Sequence, residues 1–288
     1  MNISESGYLQ AMRDILENGE KRITRNSITL SKFSVKLDFD IRESFPLLTT
    51  KKVFWKGIVA ELLWFIQGDT NSKHLESQKV NIWKANSTRE FLDENGLYDY
   101  SEGDCGPIYG FQWRHFGAKY RGMDENYIYQ GIDQLQQVIQ LIRTEPTSRR
   151  IFMSAWNPIQ LNHMCLPPCH VSYQFYVSNQ SELSCILYQR SGDMFLGIPF
   201  NIASAALLTY MIAKITEKTP GSLTIMIGDA HIYENHIDAV KIQLSREPLP
   251  FPTLKLSNTF SNMDDYKKEH IELENYICHD AIVAEMVA

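Results

Sequence analysis

The sequence predicts an α+β protein built around one large sheet. Strand-like segments outnumber helical ones in the second half of the chain, two of them are spaced as a hairpin, and the regular strand–helix alternation of a doubly wound protein is missing. No proline-rich linker, charge block or repeat divides the 288 residues, so one domain over 1–288 is expected.

The elements follow in order. Tyr8, Leu9, Met12, Ile15 and Leu16 recur at helical spacing and stop at Asn18-Gly19, giving a helix over 8–16. Phe33, Val35, Leu37, Phe39 and Ile41 alternate strictly, as in a half-buried strand. Residues 53–67 are apolar on nearly every side, which marks a buried helix. Residues 72–123 are rich in turn formers and aromatics. Ile132, Leu135, Val138, Ile139 and Ile142 form one face of a helix over about 130–143. Strands are then expected at 151–156, 171–178, 183–189, 222–227 and 253–260, and helices at about 201–217 and 232–246.

Composition narrows the function. Hydrophobic residues are 44% and charged residues 22%, an ordinary globular balance. A net charge of −6 disfavours general nucleic-acid or anionic-membrane binding, so a phosphate site must come from a local arginine cluster. Five cysteines are too few and too odd for a disulfide framework and fit a reducing compartment. The N-terminus lacks a long apolar stretch, and the run Ile202–Ala213 is short against the roughly 20 residues of a membrane span. A cytoplasmic protein is expected.

Several clusters carry chemistry. In Leu166-Pro167-Pro168-Cys169-His170, two prolines stiffen the turn before a strand, holding either a structural thiol or a nucleophile. A thiol nucleophile needs a nearby cation. If Ser178 pairs with Leu183 across the hairpin, Cys169 falls opposite residue 192, beside Arg190 and Ser191. The grouping of His163, Cys165, Cys169 and His170 matches no common zinc spacing. Gln189-Arg190-Ser191-Gly192-Asp193 offers a guanidinium fork, a hydroxyl and bare backbone, suited to an oxyanion. Glu61 stands alone in an apolar helix, where burial would raise its pKa and suit it to proton transfer. His231 and Tyr233, in Gly228-Asp229-Ala230-His231-Ile232-Tyr233, could face a ligand. Asn201 either caps a helix or reads a base edge. Arg149-Arg150 reads from its own sequence as a solvated surface pair.

Together these segments resemble the thymidylate synthase family over about residues 7–274: AELLWFIQGDTN (60–71), GPIYGFQWRHFGAKY (106–120), SRRIFMSAWNP (148–158), LPPCHVSYQFYV (166–177), LSCILYQRSGDMFLGIPFNIAS (183–204) and GDAHIYENH (228–236). The resemblance implies a single α+β domain whose large twisted mixed sheet, flanked by helices, dimerises through its face. It implies reductive methylation of dUMP to dTMP with 5,10-methylenetetrahydrofolate as co-substrate and no metal. By the same resemblance, Cys169 is the nucleophile, Glu61 relays protons, and Tyr109 assists removal of the C5 proton. Arg190, Asn201 and Asp193 complete the catalytic set. Arg22, Gln189, Arg190, Ser191, Asn201, His231 and Tyr233 hold dUMP, with Arg149 and Arg150 reaching over from the partner. Ile82, Trp83, Asn86, Leu166, Asp193, Phe200 and Ala288 face the folate.

The chain departs from the family pattern at Cys105, at Asn86 where some members carry Trp, at Tyr276-Ile277-Cys278-His279-Asp280, and at its Met286-Val287-Ala288 end. A dCMP-hydroxymethylating relative would favour a carboxyl at position 201, so Asn201 points to uracil. An inactive RNA-binding homologue fits neither the acidic balance nor the intact nucleophile.

Overall fold

A computed structural model describes residues 2–25, 27–257 and 260–287. Helix α1 (Ile3–Asn18) starts where the Asn2 side chain accepts the Glu5 amide and stops at extended Gly19. It begins earlier than its apolar spacing suggests. The buried Glu5 carboxylate accepts the backbone amides and hydroxyls of Thr49 and Thr50, tying α1 to the chain beyond the first long strand.

Strands β1 (Glu20–Ile23) and β2 (Ile28–Asp40) form a hairpin. The apolar helix α2 (Trp55–Ile66) is buried on most sides. The turn-rich region after it contains three short helices that its sequence does not announce: α3 (Ser72–Glu76), α4 (Arg89–Glu94) and α5 (Tyr109–His115). The first two are capped by Asn71 and Thr88, and none is long enough to display a period. Helix α6 (Gln134–Thr144) starts at an Asp133 cap. Ile132 therefore lies outside it, 48% exposed and bridged to Phe116, not on its apolar face as expected.

Strands β3 (Phe152–Ser154), β4 (His170–Val177) and β5 (Glu182–Asp193) follow, then helix α7 (Gly197–Ile215), strand β6 (Thr219–Tyr233) and helix α8 (Ile237–Leu244). The sheet order is β1-β2-β6-β5-β4-β3, with β5 and β6 parallel and the other neighbours antiparallel. This is the mixed α+β sheet expected, with α7 packed on β5 and β6, and α1 on β2. Helix α7, at 19 residues, is longer than its apolar run suggests and apolar enough to cross a membrane, but 78% of that stretch is buried inside the fold. Of the segment expected as a strand at 253–260, Thr253–Leu256 form β7, and residues 258 and 259 lie outside the described ones. Strand β7 pairs with β8 (Ile271–Glu274) in a two-stranded sheet separate from the large one.

One row across the large sheet shapes the site. Between the row Gln189–Ile227–Val35 and the row Ser191–Asp229–Phe33 lie Arg190, Gly228 and Ser34. At that row the buried positions of β5 pass from odd residues (183–189) to Gly192, and those of β6 from odd residues to 230 and 232. Ser34 has φ +67°. A Cβ on Gly228 would sit 2.7 Å from the Arg190 carbonyl oxygen, so this close approach requires glycine. The strict alternation expected through β2 also breaks here: Leu37 and Phe39 are buried but Phe33 is 82% exposed.

Candidate active site

A cavity of ≈ 520 Å³ opens at the Arg190 end of β5, within the range of small-molecule sites. Successive strand residues ordinarily point to opposite faces. Here Gln189, Arg190, Ser191, Gly192 and Asp193 all line one cavity, which the altered row permits.

Cys169 lines this cavity. The hairpin register differs from expectation: Val177 pairs with Leu183, and an irregularity between His170 and Ser172 shifts it again, so His170 faces Gln189. Cys169 then lies directly opposite Arg190, whose amide donates to its carbonyl at 2.9 Å, rather than opposite residue 192. The Arg190 guanidinium is clamped by the carbonyls of Pro167 (2.8 Å) and Pro168 (2.9 Å). Its Nη2 lies 3.6 Å from the Cys169 sulfur, and Ser191 Oγ lies 3.7 Å from it. The stiff proline turn thus supplies both the thiol and the acceptors that aim the guanidinium at it. The Cys169 amide donates to the Tyr109 hydroxyl at 2.7 Å.

Glu61, on α2, accepts the Trp83 indole N–H at 2.8 Å. Burial pushes its pKa up to about 7, with the Trp83 hydrogen bond acting in the opposite direction. Burial also drives the Tyr109 hydroxyl well above its ordinary range. It draws His170 down to about 4, opposed by Asn201, so this neighbour of the thiol is a neutral imidazole. Gln189 Nε2 donates to Asn201 Oδ1 at 2.7 Å, orienting that amide at the cavity wall. His231 Nδ1 lies 3.2 Å from the Asp229 carbonyl, and its ring stands 5.1 Å from that of Tyr233. Among the described residues, no group of three or more His, Cys, Asp or Glu side chains is placed to hold a metal ion.

Cys169, Glu61, Tyr109, Gln189, Arg190, Ser191, Asp193, Asn201, His231 and Tyr233 all line this cavity, as do Ile82, Trp83, Asn86, Leu166 and Phe200. Arg22 does not. It lies within β1 opposite Thr29, and its guanidinium pairs with Asp229 at 2.6 Å. Arg25, in the turn after β1, lines the cavity instead. Nothing in the spacing of these two arginines distinguishes them; only the end of β1 does. Arg149 and Arg150 are exposed and outside the lining. Ala288 lies outside the described residues. His170, Met286 and Val287 line the cavity without having been singled out for it. Adjacency to Cys169 is the available signal for His170, and for Met286 and Val287 it is the expected place of their neighbour Ala288 at the folate.

A family model described as thymidylate synthase matches residues 6–288. The chain is 56% identical over 283 residues to the thymidylate synthase of Homo sapiens, covering 98% of this chain and 90% of that protein. It is 52% identical over 296 residues to the thymidylate synthase of Saccharomyces cerevisiae, covering 99% and 97%. It is also 50% identical over 288 residues to the bifunctional dihydrofolate reductase-thymidylate synthase of Plasmodium berghei, covering 100% of this chain and 49% of that protein.

Proposed function

The chain belongs to the thymidylate synthase family, and from that premise we propose that its cavity carries out the reductive methylation of dUMP. The co-substrate, 5,10-methylenetetrahydrofolate, supplies the one-carbon unit and the hydride and leaves as dihydrofolate. The apolar wall of Ile82, Trp83, Leu196 and Phe200, with Asp193 at its edge, suits a flat heteroaromatic ring carrying a polar margin.

Cys169 adds through sulfur to C6 of the uracil ring. The electron pair displaced from the C5–C6 bond makes C5 the nucleophile for the transferred carbon. Arg190 favours the thiolate and, with Ser191 and Arg25, holds the phosphate. Asn201, oriented by Gln189, donates to O4 and accepts from N3–H. Glu61, poised near pH 7, moves protons at O4 through water. Tyr109 assists loss of the C5 proton through water. His231 and Tyr233 hold the ribose. Loss of the C5 proton expels the folate nitrogen from the transferred carbon, hydride from the folate then adds to that carbon to complete the methyl group, and the C6–S bond breaks to restore Cys169.

The observation that carries this reading is the Cys169 sulfur 3.6 Å from a clamped guanidinium in a cavity shared with Glu61 and Asn201. Incubation with 5-fluoro-dUMP and the folate should arrest the reaction as a covalent adduct, because fluorine cannot leave C5 as a proton. Peptide mass spectrometry should find the nucleotide on Cys169; label on Cys165 or Cys185 instead would reject the assignment.

The working unit is a homodimer in the cytoplasm, each chain acting as a single catalytic domain. The outward sheet face supports the dimer: Phe152, Tyr176, Ile186 and Tyr188 are 43–67% exposed on it, an apolar surface suited to a second copy. Arg149 and Arg150 would cross that interface to the partner's phosphate. A whole-chain match within half of a bifunctional protein supports the single domain, and five free thiols suit a reducing compartment.

A further inference from the structure

We propose that His236 is a positioning residue that, in its protonated form, clasps the C-terminal segment over the cavity by holding Glu285 on one ring nitrogen and Asp193 on the other.

His236 ends the turn between β6 and α8, with its side chain fully buried. Nε2 lies 2.7 Å from the carbonyl oxygen of Glu285. Nδ1 faces Asp193 Oδ1 at 3.9 Å, within ion-pair but beyond hydrogen-bond distance, and has no hydrogen-bond partner. The ring is packed between Phe195 and Tyr233, each 5.5 Å away between centroids. Asp193, Tyr233 and the two residues after Glu285, Met286 and Val287, all line the cavity. The histidine therefore stands behind the wall and joins its fixed part, on β5 and β6, to its C-terminal part.

The two contacts make conflicting demands on a neutral imidazole, which has one donor and one acceptor. With the proton on Nε2, the tail carbonyl is satisfied but a lone pair faces the Asp193 carboxylate. With the proton on Nδ1, Asp193 is satisfied but a lone pair faces the Glu285 carbonyl. Only the imidazolium donates to the Glu285 carbonyl and at the same time turns positive charge toward Asp193.

The charged groups around the ring decide when it carries that proton. Burial opposes it, as does the Lys51 ammonium. The Asp193 carboxylate and the Glu285 carbonyl outweigh them and raise the pKa of His236 above its ordinary 6.5. Lys51 comes from the segment between β2 and α2, with Nζ 3.5 Å from the Phe195 ring centroid and donating to the Phe195 carbonyl. Burial draws Lys51 down to about 7 while Asp193 acts to raise it. Tyr233, from β6, presents its ring. Asp193 thus favours the charged form of both Lys51 and His236. Because the clasped-state pKa is raised, the clasp is complete below the ordinary histidine value and is lost as pH rises through the raised one.

The clasp draws on the proposed function only for its effect on turnover, so it is tested on the unliganded full-length protein. Hydrogen–deuterium exchange of the peptide spanning residues 281–287 is followed between about pH 6 and about pH 9, corrected for the intrinsic pH dependence of exchange. In the wild type, protection should fall roughly tenfold over that range, as expected for loss of one charge-assisted hydrogen bond. His236→Gln keeps a donor for the Glu285 carbonyl but does not titrate, so its protection should persist and be flat with pH. His236→Ala should be unprotected throughout, with a raised KM for the folate and unchanged dUMP binding. A wild-type profile flat in pH, or a His236→Gln profile that follows the wild-type curve, would overturn the proposal. The wild-type profile needs no variant to fold. A failure to trap the nucleotide on Cys169 would count against the reaction and leave the exchange result standing.

Discussion

Glu61 shows how far a surrounding can change one side chain. Its pKa in the folded chain is raised from 4.5 to about 7, so the native state binds the proton more tightly than the unfolded state does. The resulting stabilisation is complete below pH 4.5 and is lost as pH rises through 7. Glu61→Gln should therefore gain stability relative to wild type above pH 7. The shift alone implies about 3 kcal/mol at 1.36 kcal/mol per pKa unit, and opening onto cavity water lowers the expected gain to about 2 kcal/mol. Denaturant melts at pH 5 and pH 8 measure it; equal differences at both pH values would mean that Glu61 is not perturbed. Turnover should fall at every pH, since the amide cannot carry the proton.

The two arginines near β1 separate just as cleanly. Arg25→Ala should weaken dUMP binding by roughly tenfold or more, the worth of one charged hydrogen bond to phosphate. Arg22→Ala removes an exposed ion pair with Asp229, worth about 0–1 kcal/mol, and should leave affinity within about twofold. Calorimetric titration with dUMP distinguishes them, and a larger loss in Arg22→Ala would restore that residue to the site.

At the scale of elements, the row containing Ser34, Gly228 and Arg190 sets the geometry of the site. Gly228→Ala would force a methyl against the Arg190 carbonyl oxygen and against Tyr188 Oη at 3.3 Å. A loss of about 1–3 kcal/mol in stability is expected from such overpacking, with a rise in the dUMP dissociation constant as Arg190 shifts. Unchanged binding in a destabilised variant would show that the row supports the fold without aiming Arg190.

This row also marks where sequence reading reached its limit. Long periodic elements were legible: α2, α6, α7 and the β4–β5 hairpin stand within a few residues of where their patterns put them. Helices α3, α4 and α5 were not, because five to seven residues cannot show a helical period. The hairpin register is not legible, because the irregularity after His170 leaves no mark in the residue types. The contact of Cys169 with Arg190 is legible all the same, since a shift of one or two residues keeps a long side chain within reach. The site was legible where function rests on motifs, and obscure where it rests on a strand's end, as with Arg22 and Arg25.

For the whole molecule, the shared-site reading makes a direct prediction. Cys169→Ala and Arg150→Glu variants should each be nearly inactive. When their subunits exchange, a hybrid dimer carries one site with an intact Cys169 and an intact partner Arg150, while the other site bears both lesions. Mixing should then restore activity, up to one competent site per hybrid. Hybrids confirmed by native mass spectrometry that recover nothing would place Arg150 at its own subunit's site.

The pairing of β2 with β6 joins Thr29 to Tyr233, partners on the order of 200 residues apart along the chain. As the polypeptide leaves the ribosome, β2 emerges early and must wait through most of synthesis with that edge unpaired. Such non-local closure is slow, and an uncovered strand edge invites intermolecular pairing. Neither the wall that holds His231 and Tyr233 nor the row that aims Arg190 exists until β6 arrives. A chain cut short before that point would carry every residue of the Cys169 turn and no pocket to use it in, so production of the enzyme depends on how long the nascent chain is kept from its neighbours.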